Sequence, residues 1–335
     1  MSVRRAAMCR VRCLLAGLAV AAMPAAAAEA TPEVGAVPPV IDAGTDVEPA
    51  PFLGGVLSQS RILYPLQVGP WTAVSEERYR QQEAGVSVRY ADRRRQRWLD
   101  LFFYPLPVRG EQALAALAIS EREGIAASAR QRGENLDLGA LAPLSLSIDG
   151  GTLPAWELGM RYRGGNRSSA MLLFARDLYV VKARASAMPG ELRKTAEDVD
   201  SLLGALRAFM QEAAARMRIA STGGCWLPAR PVPALPPADA DEVLASRTAA
   251  GGAVLAVALR DRVLVDEAES ARAAALAAEL SAALYPGCVA PEAIEPEVPE
   301  SLRELRIEYR TPDALDQPLR GPPVGRPRVP MSGTG

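Results

Sequence analysis

The fold is decided by residues 155–217, which read AWELGMRYRGGNRSSAMLLFARDLYVVKARASAMPGELRKTAEDVDSLLGALRAFMQEAAARM. The first nine residues alternate between large apolar side chains and polar or small ones, so the apolar ones share one face of an extended chain. This pattern predicts a strand with one buried side. Residues 164–166 favour a reversal into a second strand over 169–175, and a third strand is predicted over 178–185. The buried face of the first strand consists of Trp156, Leu158, Met160 and Tyr162.

A long amphipathic helix is predicted after the third strand. Met188, Pro189 and Gly190 break the strand pattern, and a proline just ahead of the acidic Glu191 suits a helix start. Apolar side chains then recur at steps of three and four residues, which places them on one stripe that must cover a sheet face. The stripe consists of Leu192, Ala196, Val199, Leu202, Leu203, Leu206, Phe209 and Met210.

The residues upstream of this stretch predict more strands and one more helix. Two alternating runs, separated by an arginine-rich turn at 92–97, indicate a hairpin. The whole of residues 56–220 is therefore expected to form an α+β domain, in which helices cover an antiparallel sheet. The upstream elements are predicted strands over 86–90, 99–103 and 138–148 and a predicted helix over 111–130.

A second, smaller α+β module is expected after a segment rich in proline and glycine. That segment, residues 221–238, holds two glycines and five prolines and is predicted to be a linker. The module, residues 239–310, has two short apolar strands followed by an alanine-rich helix. The same order occurs over residues 171–209, which indicates either a degenerate internal repeat or the easy self-similarity of alanine-rich sequence.

Both ends of the chain are expected to lie outside the folded body. The first 28 residues combine four arginines, an apolar run and a run of alanines, which is typical of a secretory signal peptide. A periplasmic location is therefore predicted, with membrane anchoring as the alternative if this leader is not cleaved. Residues 29–55 and 311–335 are rich in proline and show no apolar period, so both are predicted to be disordered.

Cysteine usage follows from the predicted export. Cys9 and Cys13 belong to the leader, which leaves Cys225 and Cys288 in the mature chain. Two cysteines in an exported protein favour a disulfide, here one that closes the second module. The alternative is a pair of inert buried thiols, which a free-thiol assay distinguishes.

Composition excludes several classes of function. The chain has no histidine, so Ser-His and Cys-His nucleophile pairs and imidazole metal ligands are absent. Phosphate-binding and dinucleotide-binding glycine motifs are absent as well, and two mature cysteines cannot form a four-thiolate zinc site. We therefore expect no cofactor and favour a non-catalytic role. Loss of the four leader arginines takes the net charge from −1 to about −5, so we expect no nucleic-acid partner.

One pair of acidic residues remains as a candidate catalytic site. Asp100 and Glu157 each fall on the polar side of a predicted strand. If the two strands are neighbours, the carboxylates could face one cleft and hydrolyse a sugar or peptide substrate. The alternative is that both acids lie on a solvated sheet face.

One basic cluster remains as a candidate contact surface. Arg93, Arg94, Arg95 and Arg97 lie together at the turn of the upstream hairpin. Such a cluster suits an anionic membrane surface or an acidic envelope protein. The alternative is an ordinary solvated hairpin tip.

The order of elements resembles the PsbP-like α+β fold over residues 60–218. The resemblance depends on the last strand and the long helix that follows it, with Tyr179, Val180 and Val181 in the strand and Leu202, Leu203, Leu206 and Phe209 in the helix. It implies an antiparallel sheet between helices and a non-catalytic protein, and no residue role carries over. The expected function is binding or scaffolding in the cell envelope, with a periplasmic hydrolase as the alternative.

Overall fold

The computed structural model describes residues 52–148, 151–163, 167–187, 198–294 and 297–310. The predicted signal peptide, residues 29–51 and the predicted tail 311–335 lie outside these ranges, as does the predicted helix start at Pro189. The helices are α1 (Gly110–Gln131), α2 (Val199–Arg216) and α3 (Ala273–Leu284), with short 3-10 turns at Gln82–Ala84, Glu267–Arg272 and Pro291–Ala293. The strands are β1 (Gln59–Pro65), β2 (Gln67–Val68), β3 (Trp71–Arg78), β4 (Val86–Asp92), β5 (Arg97–Pro105), β6 (Leu136–Ile148), β7 (Gly151–Tyr162), β8 (Arg167–Arg176), β9 (Tyr179–Ala187), β10 (Arg218–Thr222), β11 (Ala229–Val232), β12 (Ala245–Thr248), β13 (Val254–Ala258), β14 (Val263–Asp266) and β15 (Leu302–Glu308).

Eight strands form the main sheet, in the order β2-β3-β4-β5-β9-β8-β7-β6, and every neighbouring pair is antiparallel. The sheet confirms the predicted α+β class and the upstream hairpin, which is β4–β5. Its two faces carry different helices. The first face packs on α2 and the second packs on α1.

Helix α2 fills the first face of the sheet. Asp198 caps its N-terminus by accepting a hydrogen bond from the backbone N–H of Asp200. The apolar stripe of the helix, including the fully buried Leu206 and Phe209, packs on side chains from β4, β5, β8 and β9. Gly159 on β7 allows close approach, because a Cβ there would lie 2.6 Å from Cγ1 of Val199.

The sheet curves around α2 far enough that the helix reaches both of its edges. The side chain of Gln211 hydrogen-bonds the backbone N–H and C=O of Ser147 on β6, and Nη1 of Arg216 donates to the carbonyl of Gln67 on β2 at 2.7 Å. Gln211 and Arg216 are only about 7.5 Å apart along the helix axis. A flat sheet of eight strands would separate its edges by about 34 Å. The face on α2 is therefore concave and the opposite face is convex.

Helix α1 covers only part of the convex face. It packs on β6, β7 and β8, where Leu114, Ala118 and Ile125 contact Leu158 and Met171. The convex side of β3 and β4 is left more open, and its side chains include the exposed residues Thr72 and Arg89.

A three-stranded antiparallel sheet, β10-β1-β15, closes the core beside α2. Strand β15 was expected in the second module, but it pairs with β1 along seven residues and places Leu305 opposite Ile62. Both side chains are fully buried in the main core. The predicted boundary places β15 in the smaller module, residues 239–310. The apolar side chains of β15 instead complete the main core, which is why it pairs with β1.

The smaller module is a four-stranded sheet, β11-β14-β13-β12, with α3 on one face. Strand β11 lies within residues 221–238, the predicted linker, and it pairs in parallel with β14. Cys225 and Cys288 form a disulfide, with their Cα atoms 6.0 Å apart. Both cysteines lie in the main core, so the disulfide joins the points where the chain leaves for the module and returns from it.

Candidate functional site

The arginine-rich turn between β4 and β5 is built on a buried ion pair. Asp92 and Arg97 are directly opposite each other at the hairpin end, and their side chains are 2% and 3% exposed. Nε and Nη2 of Arg97 both lie 2.9 Å from Oδ2 of Asp92. The other carboxylate oxygen accepts the backbone N–H groups of Arg94 and Arg95 at 3.2 and 3.3 Å. The carboxylate therefore holds both ends of the turn.

Arg97 also packs on an aromatic ring of the core. Its guanidinium carbon lies 4.6 Å from the centroid of the Trp71 ring, a cation–π contact, and Trp71 in turn packs edge-on against Phe209 of α2. The prediction that Arg97 belongs to a surface cluster is therefore wrong. Its position follows from the strand alternation, since Arg97 shares the concave face with Leu99.

The remaining three arginines of the turn are exposed, and we call Arg93, Arg94 and Arg95 the tip. Their three charges stand next to one another on a turn whose ends are fixed. In the parts of the chain that the structure describes, Arg93 and Arg94 form no ion pair with a carboxylate. The two guanidinium groups are available to an outside anion.

A groove of about 520 Å³ opens beside the tip. Thr72 on β3 and Ala91 on β4, which are paired across the two strands, lie along it on the convex face that α1 does not reach. The groove is bounded by the tip residues Arg93 and Arg94 and by the turn that joins β2 to β3. The position of this groove was not predicted from the sequence.

The predicted carboxylate pair does not form. Asp100 is opposite Arg184, Arg184 is opposite Met171, and Met171 is opposite Leu158. Residues that are directly opposite in antiparallel strands share a face, so Asp100 lies on the convex face with Leu158. Glu157 directly precedes Leu158 on β7, so its side chain lies on the concave face. Two further strands, β9 and β8, separate them. The shared-cleft hypothesis for a hydrolase is therefore wrong.

Each of these two acids is instead paired with an arginine. Oδ1 and Oδ2 of Asp100 accept from Nε and Nη2 of Arg89 at 2.7 and 3.0 Å. Oε2 of Glu157 accepts from Nε of Arg207 on α2 at 2.6 Å, and its other oxygen accepts from Nη2 of the same side chain. Both contacts are bidentate, so neither carboxylate is placed to act on a substrate.

Lys182, the one lysine in the described ranges, is held in a contact with aromatic rings. Its Nζ lies 3.0 Å from both carboxylate oxygens of Glu121 on α1, and 4.7 and 5.1 Å from the rings of Tyr104 and Phe102. Burial is the main cause of the raised pKa of Tyr104, and the negative charge of Glu121 raises that pKa further. This cluster fastens α1 to the convex face, and we assign it a structural role.

Two further findings concern the described ranges. They contain no group of three or more acidic, histidine or cysteine side chains arranged to hold a metal ion. None of their helices is long and apolar enough to cross a membrane.

Comparison with known proteins shows a similarity of structure. No protein-family model matches the chain, and no curated protein matches it in sequence. The chain is similar to the solution structure of cyanobacterial PsbP (CyanoP) from Synechocystis sp. PCC 6803, with 12% identity over 49% of this chain and 94% of that one, at a TM-score of 0.31. This neighbour belongs to the group that the sequence resembles. The similarity is weak and covers about half of this chain.

Proposed function

We propose that the protein is an exported, non-catalytic binding protein of the cell envelope, and that its tip docks on an anionic membrane surface. One observation carries the proposal. Arg93, Arg94 and Arg95 are three adjacent exposed arginines on a turn that the buried Asp92–Arg97 pair holds in place. A fixed turn presents these charges together, whereas a flexible loop would lose conformational entropy on docking.

The charges of the tip strengthen binding to an anionic membrane by a modest amount. Each arginine near an anionic membrane surface contributes about 1 kcal/mol. Three of them would increase the affinity by about a hundredfold. The rest of the mature chain is net acidic, so this attraction is local to the tip and does not reflect a basic protein overall.

Two features support export and a non-catalytic role. The first 28 residues have the character of a secretory signal, and the disulfide between Cys225 and Cys288 suits an oxidising compartment. The acids proposed for hydrolysis, Asp100 and Glu157, lie on opposite faces of the sheet and are each paired with an arginine. The binding role instead uses the exposed arginines of the tip, of which Arg93 and Arg94 form no ion pair within the described ranges.

Vesicle co-sedimentation tests the docking step. The mature chain should pellet with vesicles that contain phosphatidylglycerol and remain in the supernatant with phosphatidylcholine alone, and added salt should weaken the binding. A variant in which Arg93, Arg94 and Arg95 are all changed to Gln should lose binding. The control changes Arg130, Arg163 and Arg272 to Gln, which removes the same charge from exposed positions elsewhere.

Two outcomes of this experiment would contradict the membrane proposal. If the triple tip variant and the control variant bind equally well, the tip is not the contact. If the unaltered chain binds neither kind of vesicle, the membrane proposal is wrong and an acidic envelope protein becomes the better partner for the tip. Export is tested separately by cell fractionation and by N-terminal sequencing of the mature chain, which should begin near Glu29. A chain recovered intact from the cytoplasm would contradict it.

A further inference from the structure

The groove beside the tip has the charge and the size of a ligand site. Arg93 and Arg94 border it, while Arg95 does not. Its other borders include the hydroxyl-bearing Thr72, the amide side chain of Gln67 and the methyl groups of Val74. Val74 is 39% exposed, which is unusual for a large apolar side chain on a strand of this protein.

The charge of the groove is positive although an acid also borders it. That acid is Asp92, whose carboxylate is 2% exposed and already accepts from Arg97 and from two backbone N–H groups. The Asp92 charge is thus neutralised from inside the protein. The charges of Arg93 and Arg94 are not balanced by any carboxylate in the described ranges.

We infer that this groove binds a phosphate-bearing ligand of the size of a glycerol phosphate or sugar phosphate, with the phosphate held by Arg93 and Arg94. The inference deepens the proposed function and rests on it, because a phospholipid headgroup is the form in which a membrane presents such a ligand. Gln67 and Thr72 are placed to hydrogen-bond hydroxyl groups of the ligand. Val74 and Ala91 provide an apolar surface for its carbon atoms.

The chemistry of the groove favours phosphate over a single carboxylate. One guanidinium group satisfies one carboxylate through two parallel hydrogen bonds, whereas phosphate has more acceptor oxygens and up to two negative charges. Two adjacent arginines match that larger demand. The volume of about 520 Å³ lies within the usual range for small-molecule pockets and is more than a bare phosphate ion would fill.

The first experiment titrates the mature, isotope-labelled chain with inorganic phosphate, glycerol 3-phosphate and glycerol, and follows backbone amide signals by NMR. Saturable shifts at Thr72, Ala91 and Arg94 are expected with both phosphates and not with glycerol, and glycerol 3-phosphate should bind more tightly. Arg94→Gln should weaken the binding by about tenfold or more, because it removes a charge-assisted contact. Arg95→Gln, which removes the same charge one residue away, should change it little.

Two results would overturn the inference. One is a set of shifts that do not saturate, or that sodium chloride at equal ionic strength reproduces. The other is an equal loss of affinity in Arg94→Gln and Arg95→Gln, which would indicate diffuse attraction to the turn and no defined site.

A second experiment separates this inference from the proposed function. Ala91→Trp fills the groove and leaves all three tip arginines in place. It should abolish glycerol 3-phosphate binding, yet retain weaker, salt-sensitive binding to phosphatidylglycerol vesicles through the tip. If the unaltered chain binds glycerol 3-phosphate but no vesicle, the groove serves a soluble phosphate ester and membrane docking is wrong. If it binds vesicles equally well with and without Ala91→Trp, and binds no soluble phosphate ester, docking stands and the groove is not a site.

Discussion

The hydroxyl groups of Tyr179 and Tyr309 hydrogen-bond to each other in the protein interior, although 130 residues separate them in the chain. Tyr179 begins β9 and Tyr309 directly follows β15, so the bond fastens the last described strand to the main sheet. Ser60 and Ser221 share a second buried hydrogen bond at 2.8 Å between β1 and β10. Buried polar groups arranged in this way specify one pairing of the strands.

The tyrosine pair makes stability sensitive to alkaline pH. Burial raises the pKa of Tyr179 from 10.0 to about 12, and burial also raises the pKa of Tyr309. A raised pKa in the folded state means that the unfolded chain ionises first. The contribution of Tyr179 to the free energy of unfolding should therefore be constant below about pH 10 and fall as the pH rises from 10 towards 12, by about 2–3 kcal/mol.

Urea unfolding at a series of pH values measures this loss. Tyr309→Phe should lower stability at neutral pH by about 1 kcal/mol, because one hydrogen bond is lost. It should also make the alkaline decline shallower, since one buried phenol is removed. An unchanged decline in Tyr309→Phe would show that other groups cause it.

The buried ion pair under the tip should be costly to break from one side. Arg97→Ala leaves the carboxylate of Asp92 buried without its cation, so we expect a loss of about 3–5 kcal/mol in the free energy of unfolding. Asp92→Asn should be less severe, since the amide keeps part of the hydrogen bonding. Arg93→Ala, one residue from Asp92 but exposed, should change stability by less than about 0.5 kcal/mol and serves as the control. Equal effects of Arg97→Ala and Arg93→Ala would contradict the buried pair.

Two glycines that face different surroundings should respond in opposite directions to alanine. At Gly159 on β7 an added Cβ would meet Val199 at 2.6 Å and Leu203 at 3.1 Å, so Gly159→Ala should lower stability by about 1–3 kcal/mol. At Gly204, inside α2, an added Cβ would meet no other atom within 4 Å. Gly204→Ala should raise stability by about 0.5–1 kcal/mol because glycine weakens a helix interior. Thermal unfolding of both variants tests this, and changes of the same sign would contradict the close packing of α2 on β7.

The disulfide should stabilise the fold mainly through the loop that it closes. Cys225 and Cys288 are 63 residues apart, and a loop of that length gives about 4 kcal/mol in the chain-entropy model. Replacing both cysteines with Ala should therefore lower the free energy of unfolding by several kcal/mol, and dithiothreitol should reproduce the loss in the unaltered chain. Two thiols titrated in the oxidised, denatured protein would show that the disulfide does not form.

Local patterns were enough to predict the strands and helices of the main domain from β4 to α2. The alternation of Val86, Val88 and Tyr90 and of Leu99 and Leu101 predicted the β4–β5 hairpin, because a strand with one buried face must repeat every two residues. The helical spacing over residues 111–130 predicted α1, which spans Gly110–Gln131. These elements need only neighbouring residues to be recognised.

Features that depend on distant pairing were not predictable in this way. Whether Asp100 and Glu157 share a face depends on the register of three strand pairs. The residues of β5 and β7 do not by themselves determine the strand order β5-β9-β8-β7. Strand β11 was assigned to a linker because of its prolines. Pro231 is tolerated there because β11 is an edge strand, which needs fewer backbone donors.

One feature of the site carried a sequence signal that was missed. Asp92 continues the buried alternation of Tyr90, and Arg97 begins the buried alternation of Leu99. Two opposite charges at the inner ends of paired strands indicate a buried ion pair. The density of positive charge at the turn suggests one surface cluster of four arginines, whereas the alternation of β5 places Arg97 on the buried face.

The curvature of the main sheet around α2 bears on the order in which the chain can assemble. All eight strands precede the helix in sequence, so a chain that emerges N-terminus first, whether from the ribosome or from the export channel of the proposed function, exposes their apolar face before the helix can cover it. Strand β1 also depends on later segments, since it pairs with β10, which follows α2, and with β15 further along the chain. A chaperone that shields newly emerged apolar surface would have its greatest effect on this protein during that interval.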